Sequence, residues 1–487
     1  MGSLYQDPLQ DIPLTESTAT RIEMHMVPHR FTLTDPIMLR HVLCLSIIVH
    51  NSFHVFLCCR QLCLARKSTE PPMEMHKAMS PDIFKEARTT ELKAVELQMV
   101  GYIIDAFFSC IELYFGIFYH LWITTMVWYR NIGDLIWHNI AFMALFSTYM
   151  TLRRLPVVFY NKFILEPRYH VDSKDGAPFI GIICVSAFMI VFAQVILIPL
   201  TGLFLFIEGN GGFFFVLWIW GFIFISSIII LIIFTIFGMP FIGKMERLPD
   251  GNLKNTLKDV LDQFHFPRDS VYIVRTSYST NTSAYAWGFC YKKRVIVLDN
   301  LLMNRGKDVE HLDPDDVGKG LQDEQLVAFL VHELSHWYYY HFLKAFTMVQ
   351  FTVLIYLMLF GVCYHQTSLY QAAGFQYDFY PHIVGYWLVF KYVMPPYLTF
   401  TNWIIYYFFR HFEYSADKHA CRLGYGNTLS SALLKLFADN IVFPYVDKWY
   451  LMWYSRRPTC LQRLKHLQSL EIPADIKIHK SQFFSKI

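Results

Sequence analysis

Val331-His332-Glu333-Leu334-Ser335-His336-Trp337 is the stretch that decides how this chain is read. On a helix, positions i and i+4 stand one above the other, so His332 and His336 can direct ring nitrogens at one metal ion. Glu333 sits beside them and off the metal. From there its carboxylate can take a proton from an activated water and later pass it to a leaving amine. The pattern points to one zinc ion and to peptide-bond hydrolysis. A catalytic zinc takes three protein ligands and keeps a fourth position for water. The downstream candidate for the third ligand is Glu413, in Arg410-His411-Phe412-Glu413-Tyr414-Ser415-Ala416-Asp417. If that stretch is helical, Asp417 lies one turn beyond Glu413 and can hydrogen-bond a ligand histidine from behind. The alternative is that both clusters are ordinary polar helix faces.

Composition sets the surroundings of this motif. The chain has 487 residues, of which 54% are hydrophobic and only 17% charged, with a positive mean hydropathy. That balance excludes an ordinary soluble enzyme and places the chain in a membrane. Apolar stretches at 37–59, 101–128, 136–152, 179–206, 213–238, 345–364 and 383–409 read as seven spans. Pro395-Pro396 should kink or break the seventh.

Loop charges orient these spans, because short cytoplasmic loops carry an excess of Lys and Arg. The first connection holds Arg60, Arg66, Lys67, Lys77, Lys85, Arg88 and Lys93, and the third holds Arg153, Arg154, Lys162, Arg168 and Lys174. Between spans two and three the only basic residue is Arg130, and neither 207–212 nor 365–382 has one. The N-terminus is therefore expected in the lumen and the zinc motif on the cytosolic side. The expected division is a luminal segment 1–35, spans one to five with their loops at 36–238 and a cytosolic metalloprotease segment 239–344. Spans six and seven follow at 345–410, and a cytosolic part 411–487 completes the site.

The N-terminal 35 residues lack the basic start, apolar core and small-residue cleavage site of a secretory signal, so the first span is expected to act as the targeting signal. Ten cysteines are scattered, with Cys58-Cys59 the one close pair, which implies neither a disulfide framework nor a cysteine metal site. A net charge of +3, dispersed along the chain, argues against nucleic acid as a partner. His50 and His54 have ligand-like spacing but no accompanying carboxylate, and read as structural polar contacts.

The long cytosolic segment has its own order. Leu253 to Phe264 is periodic at helical spacing, and Ser270-Val271-Tyr272-Ile273-Val274 reads as a strand. Ala284 to Cys290 and Arg294 to Leu298 read as a hairpin turning at Tyr291-Lys292-Lys293. A sheet edge beside the zinc helix would let an extended peptide add as a further strand. Asp323 and Glu324 suit the first turn of the helix that carries the ligands.

Several separated motifs then carry a family resemblance. They are Arg60-Gln61, Leu155-Pro156 with Tyr160-Asn161, Leu248-Pro249-Asp250-Gly251, Ala284-Tyr285 with Gly288-Phe289, Asp323-Glu324 through Trp337 and His341, and Phe412-Glu413-Tyr414 with Ala416-Asp417. In this order they resemble the type I CAAX prenyl endopeptidases, integral-membrane zinc metalloproteases also called farnesylated-protein converting enzymes. The resemblance implies a mainly α, polytopic fold with seven transmembrane helices in a barrel around a large chamber. A cytosolic gluzincin-like zinc protease domain with a small β-sheet closes it. The implied activity is removal of the last three residues of prenylated CAAX proteins or peptides, in the endoplasmic reticulum membrane and the inner nuclear membrane. By matching positions, His332, His336 and Glu413 look like the zinc ligands, Glu333 the general base and Asp417 the orienting carboxylate. Asp105 and Glu112, seven residues apart on one face of the second span, are expected to look into the bundle or a hydrated interior. The alternative for them is an interhelical polar contact with no part in substrate handling.

Three departures from the family pattern stand out. Ser455-Arg456-Arg457-Pro458-Thr459 puts Arg457 where the family has a histidine resembling a transition-state stabiliser. Arginine can donate to an oxyanion but cannot release a proton near neutral pH, and losing one such donor costs about a hundred- to a thousandfold in rate. Arg463 matches a family arginine further on. Ser283 stands where the family has asparagine before the substrate-binding Ala284-Tyr285, and Ser335 replaces a glycine spacer in the zinc motif. The chain thus reads as a diverged relative, either an active endopeptidase or a zinc-binding pseudoprotease that holds lipidated chains with little turnover.

Overall fold

The computed structural model describes residues 35–128, 135–160, 188, 192, 195–196, 199–200, 202–237, 244–275, 284–288, 293–312, 316–375 and 380–470. The chain divides into two compact units. The first comprises Met1–Cys58, Glu96–Phe224 and Phe351–Phe400, and the second Cys59–Val95, Ile225–Gln350 and Thr401–Ile487.

Long apolar helices dominate the first unit. Helices α1 (Pro36–Lys67), α2 (Pro81–Tyr114), α3 (Ile117–Trp128) and α4 (Leu135–Tyr160) are followed by a helical run that begins at Gly202 and includes α5 (Phe215–Phe237). Among the described residues, four helices are long and apolar enough to cross a membrane: Pro36–Lys67, Pro81–Tyr114, Gly202–Thr235 and His341–Tyr364. The expected fourth span, 179–206, falls largely outside the described residues. Large apolar side chains are exposed along these helices, Leu45, Phe107, Trp218 and Ile230 among them, which is the surface that lipid rather than water would cover.

The second apolar stretch is not one helix. It breaks at Gly116, whose φ of +62° favours glycine and where a Cβ would lie 3.1 Å from the Ala373 carbonyl oxygen. Similarly, Gly212 takes a φ of +54° and interrupts the run from Gly202. Arg153, counted above among loop charges, lies inside α4. Its Nη1 is 3.0 Å from the buried Glu112 carboxylate, and it also pairs with Asp105. Glu112 meets Lys391 as well, and accepts from the Tyr149 hydroxyl at 2.6 Å and the Tyr392 hydroxyl at 3.3 Å. The carboxylates of α2 thus serve an interhelical ion network, in which opposite charges offset the cost of burial. His50 and His54 make polar and stacking contacts, with His50 Nε2 3.1 Å from Thr399 Oγ1 and the His54 ring stacked on Tyr102 at 4.6 Å.

The second unit holds the sheet. Strands β1 (Lys244–Arg247), β2 (Val271–Arg275), β3 (Ala284–Trp287) and β4 (Arg294–Leu298) lie in the order β1-β2-β4-β3. β3 and β4 form the expected antiparallel pair, with Ala284 opposite Val297. β2 pairs with β4 in parallel, and β1 adds to β2 antiparallel. Lys-Met-Glu-Arg carries no strand alternation of its own, and β1 is held by its neighbour. Helices α6 (Asn252–Gln263) and α7 (Asp323–Tyr338) pack with the sheet around one apolar core, in which Val260, Ile273, Val297, Val331 and Leu334 are buried.

Helices α8 (His341–Tyr364), α9 (Thr367–Ala372) and α10 (His382–Leu388) lead to a π-helical turn at Val389–Val393 and to α11 (Pro395–Arg422). The two prolines stand at the start of α11, where a missing N–H leaves no hydrogen bond unmade. The break expected of the seventh stretch is therefore a change of helix. Helices α12 (Gly426–Asp439), α13 (Lys448–Tyr454) and α14 (Cys460–Leu470) complete the second unit, with α12 packed against both α7 and α14.

The entry to α7 gives a stability test. Gly320 has a φ of +94°, and a Cβ there would lie 2.1 Å from the Leu302 carbonyl oxygen, a backbone atom that cannot rotate away. Gly318 shares the left-handed conformation at +80° but has open space around it. Gly320→Ala is expected to cost about 2 kcal/mol or more, and Gly318→Ala about 1 kcal/mol or less. Thermal unfolding of the two variants in detergent checks the order.

Candidate metal centre

Helix α7 is built to hold its histidines still. Gln322 and Gln325 form a reciprocal capping box at its start, and Asp323 and Glu324 occupy the first turn, where the helix dipole favours negative charge. Leu326 through His332, with Leu334 and Ser335, are buried, so the helix is anchored on nearly its whole circumference. Ser335, expected as a mere spacer, has a further part. Its hydroxyl lies 2.7 Å from the Val331 carbonyl oxygen and 2.9 Å from His419 Nδ1, which ties α7 to α11.

The three candidate ligands converge. His332 Nε2 lies 3.3 Å from His336 Nε2, 3.5 Å from Glu413 Oε2, and the second histidine's Nε2 is 3.8 Å from Glu413 Oε1. One donor atom from each of the three lies within 4.8 Å of the others. Two nitrogens each about 2.0–2.1 Å from a tetrahedral zinc would stand about 3.4 Å apart, close to the separation found. The other ring nitrogens are committed elsewhere. His332 Nδ1 is 2.9 Å from Asp417 Oδ1, and His336 Nδ1 is 3.0 Å from His341 Nδ1. With Nδ1 against a carboxylate, the His332 ring turns Nε2 towards the shared space, where the neutral imidazole would offer its lone pair to a metal. Glu413 Oε2 is buried and accepts no hydrogen bond. Two imidazoles and such a carboxylate facing one point fit a divalent cation, and the donor set is one that zinc takes.

Arg463 on α14 stands behind these groups. Its Nε donates to Asp417 Oδ2 at 2.9 Å and its Nη2 to Asp417 Oδ1 at 2.6 Å, a bidentate pair inside the core. Nη1 is 3.4 Å from Glu413 Oε2. Arg457 contrasts with it. Its Nε is 3.2 Å from Glu413 Oε1, while its side chain is 64% exposed against 6% for Arg463. Arg463 is thus engaged with protein carboxylates, and Arg457 stands at the open rim.

The side chains taken by themselves tune one another. Burial and the Arg463 charge push His332 down, but Asp417 and Glu413 outweigh them and raise it to about 9. Burial and the neighbouring His332 lower His336 to about 3. Burial would raise Asp417, yet Arg463 and His332 hold it at about 2. Glu413, despite burial, is held well below the usual carboxylate range by His332, Arg463 and Arg457. Burial raises Glu333, the one carboxyl of the group pushed towards neutrality, which is the direction a proton acceptor needs.

Ala284 is buried and Tyr285 half-buried on β3, the terminal strand of the sheet, which packs against α7. Ser283 lies outside the described residues. His341 belongs to the family pattern read from the sequence, but its contact with His336 depends on a turn that the sequence does not mark. A positive φ of +54° at Tyr340 ends α7 and turns the chain so that His341, stacked on Phe412 at 4.5 Å, reaches back to His336. Nothing in Trp337-Tyr338-Tyr339-Tyr340 marks that turn.

Residues 61–244 match the family model described as the CAAX prenyl protease N-terminal domain, five membrane helices, and residues 247–471 match that of peptidase family M48. The chain belongs to peptidase family M48. It is a multi-pass membrane member of that metallopeptidase family. It is 28% identical over 445 residues to the human CAAX prenyl protease 1 homolog, covering 86% of this chain and 93% of that one. It is 24% identical over 442 residues to CAAX prenyl protease 1 of Saccharomyces cerevisiae, covering 86% and 93%. The crystal structure of S. mikatae Ste24p shares the fold, with a TM-score of 0.73 at 24% sequence identity over 88% of this chain and 98% of that chain.

Asp417 Oδ1, 2.9 Å from His332 Nδ1, faces that ring from behind. Asp417→Asn keeps the shape but removes the charge that Nδ1 and Arg463 face. Metal affinity is expected to fall about 10- to 100-fold. Competition against a chelator on the purified protein reads this directly.

Proposed function

We propose that this chain is a zinc metalloendopeptidase of the membrane that removes the C-terminal tripeptide of prenylated CAAX proteins. The observation that carries the reading is the convergence of His332, His336 and Glu413 on one point, with Glu333 on the same helix and an edge strand packed beside it. The names of the relatives, CAAX prenyl protease 1 and its homologs, supply the substrate class.

In this reading His332, His336 and Glu413 hold one zinc ion. Zinc bound there lowers the pKa of water and polarises a carbonyl oxygen. Glu333 takes the proton of the attacking water and delivers it to the amine nitrogen as the carbon–nitrogen bond breaks. Asp417 keeps His332 in one tautomer, and Arg463 keeps Asp417 in place. β3 aligns the peptide as a further strand through the backbone of Ala284 and Tyr285. Arg457, exposed at the rim, is the donor for the tetrahedral oxyanion in the position where the family has histidine.

The same reading extends to topology. Seven spans form a barrel around a chamber, with the N-terminus luminal and the catalytic side cytosolic, in the endoplasmic reticulum membrane and the inner nuclear membrane continuous with it. The division into 1–35, 36–238, 239–344, 345–410 and 411–487 follows. The match of residues 61–244 to a five-helix membrane domain and the apolar helices support it.

Cleavage of a farnesylated CAAX peptide by purified protein tests the proposal. The parent is expected to release the tripeptide. Glu333→Ala is expected to lose about 10²–10⁴ of the rate with zinc content unchanged. A parent that holds zinc and cuts nothing, but gains turnover as Arg457→His, would show instead a pseudoprotease derived from this family.

A further inference from the structure

The last turns of α1 have two different faces. Leu57, Cys58, Gln61, Leu62 and Ala65 are buried, and this end of the helix is tied down by Gln61 Nε2 donating to the Tyr445 carbonyl oxygen at 3.2 Å. The Arg60 guanidinium pairs with Asp447 at 2.9 Å. The opposite face is exposed. Met38, Val42, Leu45, Val49 and Phe56 recur along it at helical spacing, each at least half exposed, and the stripe runs on through Cys59 and Cys63 to Lys67. Four residues apart, the two cysteines stand one above the other. Among the eight described cysteines, these two alone are exposed, the others being buried or partly buried.

Their place along the helix matters as much as their exposure. Cys59 closes the apolar stretch of α1, and Cys63 lies one turn on, just before the basic last turn with Arg66 and Lys67. A lipid-facing stripe that changes from apolar to basic marks the level of the headgroups, where positive side chains meet anionic lipid. Thiols at that level, on a face that packing leaves open, meet the chemistry of reversible acylation.

We infer that Cys59 and Cys63 are S-acylated with long-chain fatty acyl groups. The acyl donor is a long-chain acyl-coenzyme A. The cysteine sulfur forms a bond to the acyl carbonyl carbon, the bond from that carbon to the coenzyme A sulfur breaks, and the thiol proton leaves with coenzyme A. No oxidant or reductant is needed. The attached chains continue the apolar stripe into the leaflet and hold the basic end of α1 at headgroup depth. The inference rests on the orientation proposed above, in which this end of α1 faces the cytosol, where acyl-coenzyme A is found.

The test uses the full-length protein in cell membranes. Free thiols are capped, thioesters are cleaved with hydroxylamine, and each thiol released receives one polyethylene-glycol maleimide, counted by gel shift. Two hydroxylamine-dependent tags are expected for the parent, one for C59S or C63S, and none for C59S/C63S. The absence of hydroxylamine-dependent tags in the parent, or their survival in C59S/C63S, overturns the assignment. In sealed membrane vesicles, an impermeant maleimide is expected to reach Cys63 after hydroxylamine treatment without permeabilisation. Labelling that requires permeabilisation overturns the orientation and the inference with it. Labelling of sealed vesicles without any hydroxylamine dependence overturns acylation alone.

Discussion

The structure around the metal centre depends on one buried interaction, the bidentate pair between Arg463 and Asp417. Both groups lie in the core, where removing a charge from water is costly unless geometry and neighbours compensate. Here the guanidinium uses Nε and Nη2 on Asp417 and brings Nη1 to 3.4 Å from Glu413, while Asp417 also faces His332 Nδ1 at 2.9 Å. One arginine from α14 therefore sets the positions of two carboxylates on α11 and, through Asp417, of a histidine on α7. Breaking such a pair by removing one partner costs about 3–5 kcal/mol, because the other charge stays buried and unpaired.

This arrangement separates two arginines that the sequence places six residues apart. Arg463 is enclosed and committed to protein carboxylates. Arg457 is open to solvent with its Nε beside Glu413. Sequence comparison treats both as positions matched against a family pattern. Burial distinguishes them, and burial is a property of packing that neither position announces on its own.

The candidate site residues were legible because their spacing is a helical one. His332 and His336 repeat at i+4, as do Glu413 and Asp417, and each pair lies on one helix whose surrounding residues favour that state. The helix α6 and the strands β2, β3 and β4 were legible from periodicity. What escaped has physical reasons. Hydropathy does not report φ, so the apolar stretch 101–128 reads as one span although Gly116 divides it. A basic residue near a span end reads as a loop charge, but Arg153 turns inward because Glu112 needs a counter-charge. The parallel pairing of β2 with β4 and the addition of β1 depend on partners distant in sequence. Ser335 reads as a spacer until the fold brings His419 to its hydroxyl.

Zinc K-edge X-ray absorption on the purified protein, with metal content measured on the same sample, tests the centre most directly. One zinc per chain is expected, bound by two imidazole nitrogens and a carboxylate oxygen with a further light-atom ligand, with loss of that signal in Glu413→Ala. A sulfur ligand at the zinc, or an unchanged spectrum in Glu413→Ala, would contradict this assignment.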